Sequence, residues 1–171
     1  MFQRFIFKEF LFKFSKFFKI QKQAKIFNVV EDKFYTWNDQ DFRDCMTRLL
    51  MSLEPRAEAR GTILVDELDE VNEITFVTNG QCVIGFDFNK EKKYCHKYTD
   101  NIIIGAFNVT FQQRASFLYT CTTNIEGYFI RKKNWLEMLE EFDTLGLCIK
   151  RNILSEYFLK LKIKIVVAKN K

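Results

Sequence analysis

The chain has 171 residues, 47% of them hydrophobic and 16% aromatic, with a single proline; that is enough for one cored domain with a helical extension, and it excludes a disordered or low-complexity chain. The formal net charge of +5 is unevenly spread, with seven Lys or Arg against the lone acid Glu9 between Met1 and Val30 and an acidic run from Asp66 to Glu73. Lysines interrupt the N-terminal phenylalanines before any window reaches the roughly 18 apolar residues of a membrane span, and no small-residue cleavage site follows, so neither a bilayer-crossing segment nor a secretory signal is expected.

Between Phe7 and Phe18, Phe7, Phe10, Leu11, Phe14, Phe17 and Phe18 recur at spacings of three and four while Lys13, Lys16 and Lys19 fall opposite. This is the pattern of an amphipathic helix, suited to docking on its own protein or a partner, or, through residues 1–30, on a membrane surface. The basic residues are not interleaved with a recognisable nucleic-acid-reading module, so no nucleic-acid partner is expected. Further on, Asn38 or Asp39 is a candidate N-cap for a helix carrying Phe42, Cys45, Met46, Leu49, Leu50 and Leu53 on one face, stopped by Pro55.

From Gly61 the period changes to short apolar runs separated by turn-prone or charged residues: GTILV, ITFVT, QCVIGF, YCHKY and NIIIGA. Strands at such spacing predict an antiparallel sandwich or barrel. Asn79-Gly80 predicts a tight hairpin between Ile74–Thr78 and Gln81–Asp87, and Asn89-Lys90 a second one. In Asn101–Thr122 a strand meets Gly105, a short helical segment follows, and Arg114 precedes another strand. That order suits an anion: the glycine permits close backbone approach, the next amides face the charge, and a guanidinium adds a bidentate donor. Ser116–Thr123 and Gly127–Arg131 read as the last strands. Asn134 starts a helix presenting Trp135, Met138, Leu139 and Phe142, and Leu145–Lys164 reads as another. The KLKIKIVV end has period two, so a helix is expected only to about Leu161, with a strand or fraying beyond.

The five cysteines are scattered, odd in number and without a CxxC pair, which argues against zinc and disulfide frameworks and for a reducing compartment. Asp66, Glu67, Asp69, Glu70 and Glu73 lack the ligand spacing and central glycine of a calcium loop, so a solvated or partner-facing acidic connection is expected. His96, the only histidine, has no evident carboxylate or serine partner in sequence, and no nucleophile elbow, P-loop or metal-binding helix is present. No enzyme is expected.

With Gly61 opening the first strand, Gly80 in the second turn and Gly105 in the stretch Asn101–Thr122, which resembles the phosphate-binding cassette of that family, Glu54–Lys164 resembles cyclic-nucleotide-binding domains. Phe34–Val77, with its LEPR and ELDE-N-E segments, is similar to the linker and first strands of the cytoplasmic domains of ciliate voltage- and cyclic-nucleotide-gated-type potassium channels. The resemblance implies an α+β fold, an antiparallel β-roll flanked by helices, divided as a helical linker (1–54), the roll (55–132) and C-terminal helices (133–171). It implies a phosphate site at Gly105, Ala106, Arg114, Ala115 and Ser116, a lid at Tyr157 or Leu161, and cAMP or cGMP as ligand. It also implies channel subunits or copies of itself as partners, in a tetramer on the cytoplasmic side of a membrane. No voltage sensor, pore helix or TVGYG-type filter occurs in these residues, so a detached portion of a channel or a pore-less relative is expected. The family places a glutamate after the glycine, to hold the ribose hydroxyl, where this chain has Ala106, and Arg114 stands one residue closer to the glycine than usual. Losing a buried bidentate acceptor costs a few kcal/mol, about a hundredfold in affinity, so a degenerate site is expected.

Overall fold

Asp39 caps the first described helix, its carboxylate accepting the Phe42 amide at 3.3 Å; the computed structural model describes residues 39–99 and 102–169. The amphipathic segment Phe7–Phe18 and the linker up to Asn38 lie outside the described residues. Helix α1 (Gln40–Ser52) buries Phe42, Cys45, Met46, Leu49 and Leu50, the face its period predicts.

Eight strands follow: β1 (Glu54–Glu58), β2 (Ile63–Val65), β3 (Glu73–Asn79), β4 (Gln81–Phe88), β5 (Glu91–Thr99), β6 (Ile102–Ile104), β7 (Leu118–Cys121) and β8 (Ile125–Arg131). They form two antiparallel four-stranded sheets, ordered β1-β8-β3-β6 and β2-β7-β4-β5. Helix α2 (Ala106–Phe111) interrupts the strands, and α3 (Lys132–Glu141) and α4 (Asp143–Lys169) close the chain. This is the α+β, helix-flanked β-roll anticipated from sequence.

The first sheet is covered on both faces, which is why β3 reads as a continuous apolar run instead of an alternating one. Ile74 and Phe76 point into a core shared with α1, α3 and α4, containing Trp135, Met138, Leu145 and Ile149. Val77 points the other way, into the roll, with Cys82, Ile84, Ile104, Phe117, Tyr119 and Ile125.

Three local expectations change. Asn79-Gly80 makes a corner between the sheets, not a hairpin: β3 pairs with β6 and β8, and β4 with β5 and β7. Gly80 supplies φ +106, and a Cβ there would lie 2.5 Å from the Asn124 carbonyl. The chain beyond it is captured by a neighbouring turn, through Gln81 N to Thr123 Oγ1 at 2.9 Å and Thr122 N to the Gln81 carbonyl at 2.8 Å. The dipeptide reported a positive φ and the strands it joins; tertiary pairing decided that the two go to different sheets. Asn89-Lys90 does close the β4–β5 hairpin, with φ values of 53 and 65.

Second, Glu54–Glu58 is a strand. Pro55 is tolerated because β1 pairs on one side only, along β8. Third, the period-two C-terminus is helical to Lys169. Lys160 and Lys164, four apart, share the inward helical face, bonding Tyr119 and Ser116 respectively. Among the described residues no helix is long and apolar enough to cross a membrane.

The five cysteines are free thiols. Burial, with the Glu141 charge second, pushes the Cys45 thiol up to about 12; burial, with the Cys121 thiol beside it, does the same for Cys82. At pH 8 such a group is thiolate about one part in ten thousand. An aromatic disulfide reagent is therefore expected to leave Cys45 and Cys82 unlabelled in the native protein while titrating all five thiols in denaturant; prompt native labelling of Cys82 would contradict its burial in the roll.

Candidate functional site

The chain leaves β6 at Gly105, whose φ of +84 is a left-handed conformation, and turns directly into α2. Glycine is demanded twice here. Besides the dihedral, a Cβ would stand 2.7 Å from the Glu73 carbonyl and 2.9 Å from Val71 Cγ1. Ala106, where the resembling family carries its glutamate, is buried. After α2, Asn108 Nδ2 donates to the Arg114 carbonyl at 2.8 Å and the Gln113 amide to the Asn108 carbonyl at 2.9 Å, holding the loop that leads to β7. The acidic loop after β2 pairs with this segment through Leu68 N to the Ala115 carbonyl at 2.8 Å and Ala115 N to the Asp69 carbonyl at 2.9 Å.

Gly105 and Ala106 line a cavity of about 30 Å³ together with Ile103, Phe117, Tyr119 and Tyr157. That is room for a water or two, against the roughly 300 Å³ at the lower end of small-ligand pockets. The space is filled from α4. The Tyr157 ring stacks on Phe107 with centroids 3.5 Å apart and planes at 3°, and meets Phe117 edge-on at 6.0 Å. Its hydroxyl donates to Ser116 Oγ at 2.7 Å. Hence α4 is tied to the cassette by a ring and a hydrogen bond together.

One helical turn on, Lys160 Nζ reaches the Tyr119 hydroxyl at 3.4 Å. Two turns on, Lys164 Nζ donates to the Ser116 carbonyl at 2.9 Å and pairs with Glu67 at 2.7 Å, lying 4.9 Å from the Phe86 ring centroid. The side chains of Lys164 and Glu67 are 25% and 15% exposed, so the pair is partly withdrawn from water and less screened than a surface ion pair. Burial raises the Tyr119 hydroxyl well above the usual phenol range and also lifts Tyr98, keeping both neutral as hydrogen-bonding groups.

Of the residues singled out from sequence, Gly105, Ala106, Ser116 and Tyr157 come together here. Arg114 and Ala115 stand apart from the cavity. Arg114 is exposed, its guanidinium 3.4 Å from the Leu68 carbonyl, and Ala115 is buried in the helical core. Leu161 is half-buried against the roll. Gly61, with φ +89, and Gly80 sit in turns. His96 is on exposed β5, edge-on to Tyr98 at 4.6 Å. Among the described residues no cluster of His, Cys, Asp or Glu could hold a metal ion.

Sequence reading missed Phe107, Phe117, Lys160, Lys164 and Glu67. The spacing of Tyr157, Lys160 and Lys164 was the available signal, masked by the apparent strand period; Glu67 was expected in a solvated loop and is instead an anchor for α4.

A cyclic nucleotide-binding domain from Methylobacillus flagellatus KT matches with a TM-score of 0.69 at 15% identity, covering 90% of this chain and 84% of that one. The regulatory domain of Toxoplasma gondii PKA with cAMP matches with a TM-score of 0.59 at 11% identity over 72% of this chain and 43% of that chain, so this chain spans less than half of it. The C-linker/CNBHD of zELK channels, crystallized in the presence of cAMP, gives 0.58 at 17%, over 74% and 66%. At these identities the likeness is one of fold: the chain has the cyclic-nucleotide-binding-domain fold. No family model and no curated protein sequence matches it.

Proposed function

We propose that this chain is a regulatory and assembly module of the cyclic-nucleotide-binding type, part of or derived from a cation channel, whose ligand site is filled by its own last helix. It acts by relaying conformational change or subunit contacts, not by chemistry, on the cytoplasmic side of a membrane and alongside channel subunits or copies of itself. The observation that carries this reading is Tyr157, seated between Phe107 and Phe117 with its hydroxyl on Ser116 in a cavity of about 30 Å³. Two departures support it: Ala106 offers no acceptor for a ribose hydroxyl, and Arg114 is exposed and engaged with the Leu68 carbonyl, apart from the cavity. The channel association draws on the LEPR and ELDE-N-E segments and on the likeness to the zELK fragment.

Calorimetric titration of the full chain with cAMP and with cGMP is expected to give no saturable heat up to about 1 mM of either, the weak end of measurable affinity. Saturable binding abolished by Arg114→Ala would overturn the self-filled reading. For the channel association, purification of the tagged chain from its own cells is expected to bring down a pore-bearing polypeptide, and its consistent absence would refute that part.

A further inference from the structure

We propose that the outward face of α4 is the docking site for an acidic amphipathic helix of another protein. The inner face of α4 is committed to the core through Leu145, Ile149 and Ile153 and to the cassette through Tyr157 and Lys164. The outer face carries a second apolar pattern: Leu147 and Leu154 stand seven residues apart, Phe158 and Ile165 do so at the complementary position, which Arg151 holds one heptad earlier, and Leu161 continues the first row at the margin where the helix packs on the roll. Alternating steps of three and four are the seam of a helix pair. The seam is open, with Leu147 59%, Leu154 36%, Phe158 53% and Ile165 52% exposed and Leu161 half-buried. From Leu147 to Ile165 it runs about 27 Å at 1.5 Å per residue.

The charges select among occupants. The only acid between Leu147 and Ile165 is Glu156, which lines the cassette cavity. Flanking positions of the seam hold Lys150 and Lys162. A second copy would bring lysine against lysine in either orientation, with no carboxylate to answer them. The segment before α1 is a poor occupant for the same reason, with seven basic residues against Glu9 up to Val30. A lipid surface fits badly because an interfacial helix has an apolar centre with lysines at its margins. Here Arg151, Ser155 and Lys162 run along the middle of the exposed face, with Leu159 and Val166 on their far side. A helix with a Leu/Ile seam and Glu or Asp at its flanking positions satisfies both the hydrophobic spacing and the charge.

The test uses the full chain and two labelled synthetic peptides of roughly three heptads, sharing one Leu/Ile seam and carrying either Glu or Lys at the flanks. Fluorescence anisotropy is expected to show saturable binding of the Glu peptide, weakened at least about tenfold at high salt and in Leu154→Ser/Phe158→Ser. Lys162→Glu is expected to shift preference toward the Lys peptide. Circular dichroism checks that the variants stay folded, as substitutions at exposed positions should. No binding of the Glu peptide, or equal binding of both, overturns the proposal. So does concentration-dependent self-association abolished by the seam substitutions, or capture by anionic vesicles that depends on the seam while the peptides fail to bind.

Discussion

Trp135→Ala is expected to lower the free energy of unfolding by about 3–5 kcal/mol, the cost of excising a large aromatic from a packed core. Trp135 is fully buried in the cluster that joins α1, α3 and α4 to the outer face of the first sheet. Its indole N–H donates to Thr110 Oγ1 at 2.9 Å, and Thr110 lies on the cassette helix α2. The substitution thus leaves a cavity and removes the partner of a buried hydroxyl, an additional cost of about 1–3 kcal/mol if no water enters. Against a total stability of about 5–15 kcal/mol, such a loss is a large fraction of what holds the fold together. Trp135→Phe, which keeps most of the volume and loses only the donor, should fall well between the two. Urea titration followed by circular dichroism reads both, and a loss under about 1 kcal/mol for the alanine variant would contradict the core position.

Gly127→Ala should cost about 3 kcal/mol by a different route. Gly127 lies in β8, the strand between β1 and β3, and an added Cβ would sit 2.0 Å from the Phe76 carbonyl oxygen and 3.0 Å from Val77 Cα. Both obstacles are backbone, so no side chain can swing aside. The strands must separate or shift register, at the upper end of what overpacking costs. Because β8 leads directly into α3, amide exchange of β3, β8 and α3 should accelerate together in this variant. A thermal midpoint within a degree of the parent would show that the close approach is not there.

The parts of the fold legible in sequence are those where local chemistry and tertiary demand coincide. Phe42 to Leu50 declared their helix because one face is buried along its whole length, and Gly105 declared a sharp turn because its positive φ and the nearby Glu73 carbonyl both require glycine. Where the two diverge, sequence misleads. Asn79-Gly80 carries the local mark of a hairpin and does join the expected strands, yet they do not pair with each other, because the chain beyond Gly80 is captured by Thr122 and Thr123, some forty residues on. At Pro55, a residue that stops helices also suits an edge strand. The C-terminal lysines alternate as a strand would, but Lys160 and Lys164, four residues apart, both reach partners on the roll, and that selects the helix. At the site, Ala106 was legible as a departure from the resembling family's pattern. What fills the cavity beside it was hidden, because it depends on α4 folding back over more than forty residues to bring Tyr157 onto Ser116.

Tyr157 reaches its place beside Ser116 from the same polypeptide. A group delivered by the same polypeptide does not dilute: its local concentration at the cassette is set by chain geometry, about millimolar for short flexible links and higher for a helix already docked on the core. A free molecule competing for that space faces a constant opponent whose strength is independent of expression level or cell volume. Under the self-filled reading proposed above, occupancy of the site would be governed by whatever bends or holds α4, so the input of such a module would be mechanical and its set point written into the helix instead of into the supply of a messenger.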